Sequence, residues 1–212
     1  MARVDAAADP WLGRWLPLAR ERAGSAPILE LGCGPGGDTA TLVEAGFRVV
    51  AIDRSAEAIA AARGRVPEAA AEFHCRDFRE PFPPAVAADA GVGVVVASLS
   101  LHYFPWAETR ALANRIRATL WPGGVLLCRL NSTNDVHSGA GGGHPEIEPH
   151  YYSVNGRQKR FFDREAVDAL FSDGWRTLSV EEMVIHRYAL PKAAWEVVLE
   201  KPMTPPGSCR PT

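Results

Sequence analysis

Apolar residues recur along this chain in two alternating rhythms: stripes at helical spacing and short unbroken runs. The stretch 10–22 carries Trp11, Leu12, Trp15, Leu16 and Leu18, a helical apolar face. The run 27–31 is short, apolar and stopped by glycines, which predicts a strand. Residues 38–45 predict a helix with Asp38 near its first turn, and 47–52 a second strand. Ser55 can cap an alanine-rich helix ending near Gly64. A third strand follows at 71–75. The run 91–98 is almost uninterrupted in its apolarity, as expected of a strand buried on both faces of a parallel sheet. Leu112, Ile116 and Leu120 stand four apart in a helix over 107–120. Trp121-Pro122-Gly123-Gly124 ends it in a turn, and 125–130 is a fifth strand. A helix over 163–171 has Asp163 at its N-cap. Two strands, 177–188 and 194–201, close the pattern, and their short spacing predicts antiparallel pairing. After Pro202 the chain is rich in Pro and Gly and reads as loose.

Strand and helix therefore alternate, and right-handed crossovers turn that order into a doubly wound α/β sheet with a terminal antiparallel hairpin. The expected organisation is a single domain over 1–212. One connection, 132–163, is long and without periodicity, and Ser138-Gly139-Ala140-Gly141-Gly142-Gly143 makes its first part flexible. A connection of that length in a compact domain reads as a functional loop. Following the fifth strand, it should hang over the carboxyl edge of the sheet, where ligands bind in open α/β folds. With 10–23 it is expected to form an active-site lid.

The 212 residues are 47% hydrophobic and 23% charged, which excludes a disordered or fibrous chain. The net charge of −2 lacks the basic excess of a nucleic-acid enzyme. The densest basic cluster, Arg157, Lys159, Arg160 and Arg164, reads as a solvated stretch ahead of a helix. None of Cys33, Cys75, Cys128 and Cys209 forms a C-x-x-C pair, so no zinc site is expected, and the usage fits a reduced, cytoplasmic protein. Residues 1–10 have no apolar core of the kind a signal peptide needs. The most apolar stretch, 92–104, is too short to cross a bilayer and is interrupted by Ser98, Ser100 and His102. No membrane or nucleic-acid partner is expected, and the oligomeric state is not legible.

The candidate chemistry begins where Ile28-Leu29-Glu30-Leu31 runs into Gly32-Cys33-Gly34-Pro35-Gly36-Gly37. Glycines let the backbone turn sharply and approach a ligand, and the next helix offers free N–H groups. Asp53, 21 residues after Gly32 at the end of the second strand, can accept hydrogen bonds from both hydroxyls of a ribose. Gly32, Gly34 and Gly37 also satisfy the dinucleotide fingerprint G-x-G-x-x-G. Three features favour S-adenosylmethionine instead. Glu30 lies inside an otherwise apolar strand and needs donors, which the N–H groups of the glycine loop can supply. Asp77-Phe78 follows the third strand, where an acid can accept from an adenine amino group and a ring can line the base. The chain also lacks room for the separate substrate domain usual in a dehydrogenase.

Glu30-Leu31-Gly32-Cys33-Gly34-Pro35-Gly36, Val50-Ala51-Ile52-Asp53-Arg54-Ser55, Arg76-Asp77-Phe78, 97–103 and Leu120-Trp121-Pro122-Gly123-Gly124 together resemble the successive motifs of class I S-adenosylmethionine-dependent methyltransferases. The resemblance covers about residues 10 to 201. It implies a Rossmann-like, mostly parallel seven-stranded sheet with the last hairpin inserted antiparallel. It also implies S-adenosylmethionine as cofactor: Gly32 and Gly34 at the methionine part, Asp53 on the ribose, Arg54 beside the adenine, Asp77 and Phe78 holding it, and Ser98 at the methionine end, with Glu30 and Cys33 also expected among the cofactor-binding residues. Where the family often has an acid at the start of the fourth strand, this chain reads Ala90-Gly91-Val92-Gly93. A narrower likeness, to the tellurite-resistance and thiopurine-type small-molecule enzymes, rests on Asn131-Ser132-x-x-Asp135, Glu146-Ile147-Glu148, Tyr151-Tyr152, 160–163 and the closing Trp195-Glu196-Val197-Val198.

Methyl transfer from a sulfonium is an in-line displacement that depends on positioning, with a base needed only for some acceptors. His102 is the candidate base, against a packing role at the edge of the cofactor. Trp15, Asn131, Tyr151 and Tyr152 are candidates for the wall around a small-molecule acceptor; Tyr151 and Tyr152 equally suit packing of the loop. His137, His144 and His150 match no metal motif, so no metal is expected. The expected activity is methyl transfer to a small molecule. The alternatives are an NAD(P)-binding oxidoreductase and a non-catalytic S-adenosylmethionine-binding module.

Overall fold

The computed structural model describes residues 10–67, 69–86, 91–140, 142–186 and 188–203. In chain order these form a 3-10 turn over Pro10–Trp15, α1 (Leu16–Ala23), β1 (Ile28–Leu31), α2 (Gly37–Glu44), β2 (Val49–Asp53), α3 (Ala56–Arg65) and β3 (Ala71–Cys75). Then come β4 (Val92–Ser98), α4 (Trp106–Thr119), β5 (Leu120–Asn131), β6 (Glu146–Glu148), β7 (Tyr151–Val154), β8 (Arg157–Arg160), α5 (Arg164–Leu170), β9 (Arg176–Ile185) and β10 (Lys192–Glu200). The expectations on Ala90, Gly141, Cys209 and the tail beyond Met203 lie outside the described residues.

Seven strands form one sheet in the order β3-β2-β1-β4-β5-β10-β9. The first five run parallel, and β10 inserts antiparallel between β5 and β9. The central strands β1, β2, β4 and β5 are buried on both faces because helices cover both. Ile28, Ala51, Val94 and Val96 pack against α1, α2 and α3 through Ala19, Leu42 and Ile59. Leu29, Ile52, Val95 and Ala97 pack against α4 and α5 through Leu112, Ile116, Val167 and Leu170. That two-sided burial is why the strand sequences read as continuous apolar runs. Caps fall where the sequence puts them: Ala58 N–H donates to Ser55 Oγ (3.2 Å) and Ala166 N–H to Asp163 Oδ1 (2.8 Å).

Residues 132–163 depart from a structureless loop. β6, β7 and β8 make a separate antiparallel sheet, closed at Asn155-Gly156 where both residues have positive φ (50° and 75°). Asn-Gly with Val154 opposite Arg157 is a two-residue hairpin turn. The stems of the insertion are tied together, since Phe162 N–H donates to the Asn131 carbonyl (2.8 Å) and Thr133 N–H to the Phe162 carbonyl (3.0 Å). The basic cluster is solvated only in part: Arg157 and Arg164 are exposed and Lys159 is half-buried. Arg160 is buried, pairs with Glu148 and lies over the rings of Trp106 (5.5 Å) and Tyr151 (4.9 Å). Among the described residues no helix is long and apolar enough to cross a membrane.

The missing acid at the start of β4 has a packing counterpart. A Cβ on Gly93 would overlap the Arg22 carbonyl of α1 and the Trp121 ring, so α1 lies directly on the strand. We expect Gly93→Ala to cost about 3 kcal/mol through overpacking. Gly64→Ala, in α3 with open space around it, should gain about 0.5–1 kcal/mol. Urea denaturation of both variants checks this; equal stability for Gly93→Ala and the parent would contradict the contact.

Candidate functional site

A cleft of about 1220 Å³ opens at the carboxyl ends of β1, β2 and β4. The glycine loop forms its floor. Gly32 and Gly34 have φ of +75° and +52°, which only glycine adopts without strain. A Cβ on Gly32 would collide with the Ser100 side chain, whereas one on Gly34 would meet nothing, since it would stand in the cleft. The loop is held from β2. Gly34 N–H donates to Asp53 Oδ2 (2.9 Å), Ser55 N–H donates to Asp53 Oδ1 (2.9 Å), and the N–H groups of Gly32 and Cys33 donate to the Ile52 carbonyl (2.7 and 3.1 Å).

Of the residues expected to hold a cofactor, Gly32, Cys33, Gly34, Asp53, Arg54, Phe78 and Ser98 line this cleft. Glu30 lies beneath it, buried. Its donor is the Thr39 hydroxyl of α2 (2.6 Å), not the glycine loop, whose N–H groups go to Asp53 and Ile52. Asp77 is absent from the lining. Its carboxylate is gripped by the Arg79 guanidinium and backbone N–H, which holds it below the usual carboxylate range. Burial pushes the Cys33 thiol up, so it stays protonated.

The acceptor-side candidates divide. His102 and Asn131 line the cleft. His102 is buried in the 3-10 turn Leu101–Tyr103, its Nδ1 has no partner among the described residues, and burial together with Lys192 and Lys159 keeps the imidazole well below its ordinary range, hence neutral. Asn131 is fully buried, and both polar atoms of its amide lack partners among the described residues. Trp15, Tyr151 and Tyr152 do not reach the cleft. Trp15 donates to Glu196 of β10 (2.6 Å). Tyr151 is buried and donates to the Tyr103 carbonyl (3.0 Å), bracing the small sheet. Tyr152 packs on Phe161 with ring centroids 6.1 Å apart. Their spacing gave no direction, and each found a partner elsewhere.

The cleft also holds residues to which the sequence pattern gives no role at the site. Arg157 and Lys159 of β8 and Lys192 of β10 face it from the opposite wall. The Asn155-Gly156 turn was the available signal, because it folds the basic run back over the sheet. Arg129 of β5 is fully buried, donates to Ser98 Oγ (2.9 and 2.8 Å) and stacks on Trp11 (4.3 Å). Trp11 in turn donates to Asp38 Oδ1 (3.0 Å). No cluster of three His, Cys, Asp or Glu fit to hold a metal occurs among the described residues.

Burial, then the nearby Asp38 and Asp53, push Glu30 up to about 8 from an ordinary 4.5, against the pull of the Thr39 hydroxyl. A carboxyl raised on folding is most compatible with the fold while protonated. Its contribution to stability is full below pH 4.5 and is lost as pH rises through about 8. Glu30→Gln should therefore remove a fall in melting temperature between pH 5 and 9 that the parent shows. Parallel curves for the two proteins would contradict this.

Residues 28–124 match the family described as "Methyltransferase domain". Among curated proteins the chain is similar to the trans-aconitate 2-methyltransferase of Azoarcus sp. (strain BH72), 34% identical over 116 residues, 54% of this chain and 42% of that one. It is also similar to the enzyme of that name from Paracidovorax citrulli (strain AAC00-1), 39% identical over 106 residues, 49% of this chain and 38% of that one. The chain thus aligns with about two fifths of the length of the curated relatives it matches. These are not tellurite-resistance or thiopurine-type enzymes, and the narrower likeness gains no support from them. Among solved structures, an S-adenosylmethionine-dependent methyltransferase from Clostridium acetobutylicum ATCC 824 superposes with a TM-score of 0.70 at 14% identity, covering 94% of each chain. One from Mesorhizobium loti gives 0.69 at 20% identity, covering 92% of this chain and 98% of that one. At those identities the likeness concerns the fold. Residues 28–124 thus carry the sequence of a methyltransferase domain, and the chain has the fold of S-adenosylmethionine-dependent methyltransferases.

Proposed function

We propose that the chain binds S-adenosylmethionine along the glycine loop and transfers its methyl group to a small-molecule acceptor in the outer half of the cleft. The observation that carries this reading is the cradle at Gly34, an open position beneath which Asp53 fixes the loop. The residues present fit the cofactor. Asp38 and Asp53 both line the site, which suits a ligand bearing an ammonium and a sulfonium. When bound, S-adenosylmethionine supplies an electrophilic methyl group. Asp53 has acceptor capacity left for a ribose beyond the two N–H groups it already binds. Arg54 and Phe78 are assigned to the adenine. Cys33 and Ser98 are assigned to the methionine end. His102, neutral and walling the cleft, is assigned to orient the acceptor, since its lowered basicity suits a hydrogen bond better than proton removal.

The small-molecule acceptor is supported by the relatives named for trans-aconitate and by a cleft walled in part by Gly156 and β8. We read 132–163, with the first helical segment behind it, as the cap of a single domain. The described cysteines, Cys33, Cys75 and Cys128, are all free thiols, which supports a reducing compartment such as the cytoplasm.

Calorimetric titration tests the reading. S-adenosylmethionine and S-adenosylhomocysteine should bind; Asp53→Ala and Gly34→Val should each weaken both by roughly tenfold or more, a loss above about 1.4 kcal/mol. Binding of NAD(H) in their place would overturn the cofactor assignment. Cofactor binding with no turnover on any small acceptor would make the chain a binding module.

A further inference from the structure

The wall of the cleft opposite the glycine loop concentrates positive charge. Arg157 and Lys159 enter from β8, and Lys192 from the start of β10. Lys192 is bound by the buried Asp135 (2.6 Å), so one of the three is neutralised by a fixed partner. Lys159 reaches only the Ser138 carbonyl at 3.5 Å, and no carboxylate lies within ion-pair distance of Lys159 or Arg157 among the described residues. Burial lowers the basicity of Lys159, and the charges of Lys192 and Arg157 lower it further. Like charges pressed together in a partly buried cleft are stabilised by an anion between them.

A second feature points to the same ligand. Asn131, fully buried at the end of β5, lines the cleft with both its amide oxygen and its amide nitrogen unpartnered among the described residues. An unpaired buried amide costs free energy until a ligand satisfies it. An amide donor lining the same cleft as two ammonium groups and a guanidinium suits the oxygens of a carboxylate.

We infer that the outer half of the cleft takes an acceptor bearing at least one carboxylate, held by Lys159 and Arg157 and by the Asn131 amide. This rests on the methyltransferase reading above and names the class of its acceptor. Arg157, Lys159 and Asn131 are binding residues for that acceptor; Lys192 is positioned by Asp135 and closes the cationic wall.

The test titrates the full chain, saturated with S-adenosylhomocysteine, with succinate, benzoate and tricarballylate. The trimethyl ester of tricarballylate and inorganic phosphate serve as comparison probes. At least one carboxylate should bind, with the ester and phosphate weaker by roughly tenfold or more. Lys159→Gln and Arg157→Gln should each weaken it by roughly tenfold while leaving the affinity for S-adenosylhomocysteine unchanged. Arg164→Gln removes a charge from an exposed pair with Asp168 and should change neither. Equal binding of acid and ester, preference for phosphate, or failure of all three carboxylates while S-adenosylhomocysteine binds would overturn the inference and leave the methyltransferase reading intact. Failure of S-adenosylhomocysteine itself would remove that reading and this inference with it.

Discussion

The cleft depends on one carboxylate. Asp53 ends β2 and accepts at once from Gly34 of the glycine loop and from Ser55 at the cap of α3. Two connections that leave the sheet from neighbouring strands are thereby tied to a common point. β1 and β2 are in parallel register from Ile28 opposite Val49 to Leu31 opposite Ile52, so the tie falls one residue beyond the last pair. The loop cannot drift from the sheet, and it cannot close onto it, because Gly32 is already as near Ser100 as a residue without a Cβ can be. A rigid floor is what a positioning enzyme needs, since displacement chemistry gains most from fixed geometry.

The parallel half of the molecule was legible because burial on two faces leaves a strong trace. A short unbroken apolar run such as 92–97 suits a strand sandwiched between two helical layers, and the glycine run and Asp53 follow at a spacing that chain geometry enforces. The cap was not legible for the opposite reason. β8 is Arg157-Gln158-Lys159-Arg160, four polar residues with no alternation of hydrophobicity. It is a strand because Asn155-Gly156 turns it back on β7, and because Arg160 is taken up by Glu148, Trp106 and Tyr151. A single Asn-Gly pair outweighed its composition.

The same contrast runs through the site. Gly32, Gly34, Asp53 and Phe78 fall where a strand end puts them, because backbone position alone decides whether they face the cleft. Asp77 stands at the right position with its carboxylate turned to Arg79, two residues on, a competition that spacing does not reveal. Tyr151 sits on a strand whose inner face meets the turn after β4, so it braces rather than lines. Side-chain direction in a short, irregular strand depends on register, and register came from a turn and from packing rather than from an amphipathic pattern.

The two stems of the 132–163 insertion are bonded to each other, Asn131 to Phe162 and Phe162 to Thr133. Whatever lies between them begins and ends at nearly the same place, so the cost of closing that loop hardly grows with its length. The stretch is therefore modular. Segments of different size and sequence can be exchanged there during divergence without moving β5 or the glycine loop, and the cationic residues of β8 would travel with them. A scaffold of this kind can change what it acts upon while the half that spans residues 28–124 stays the same.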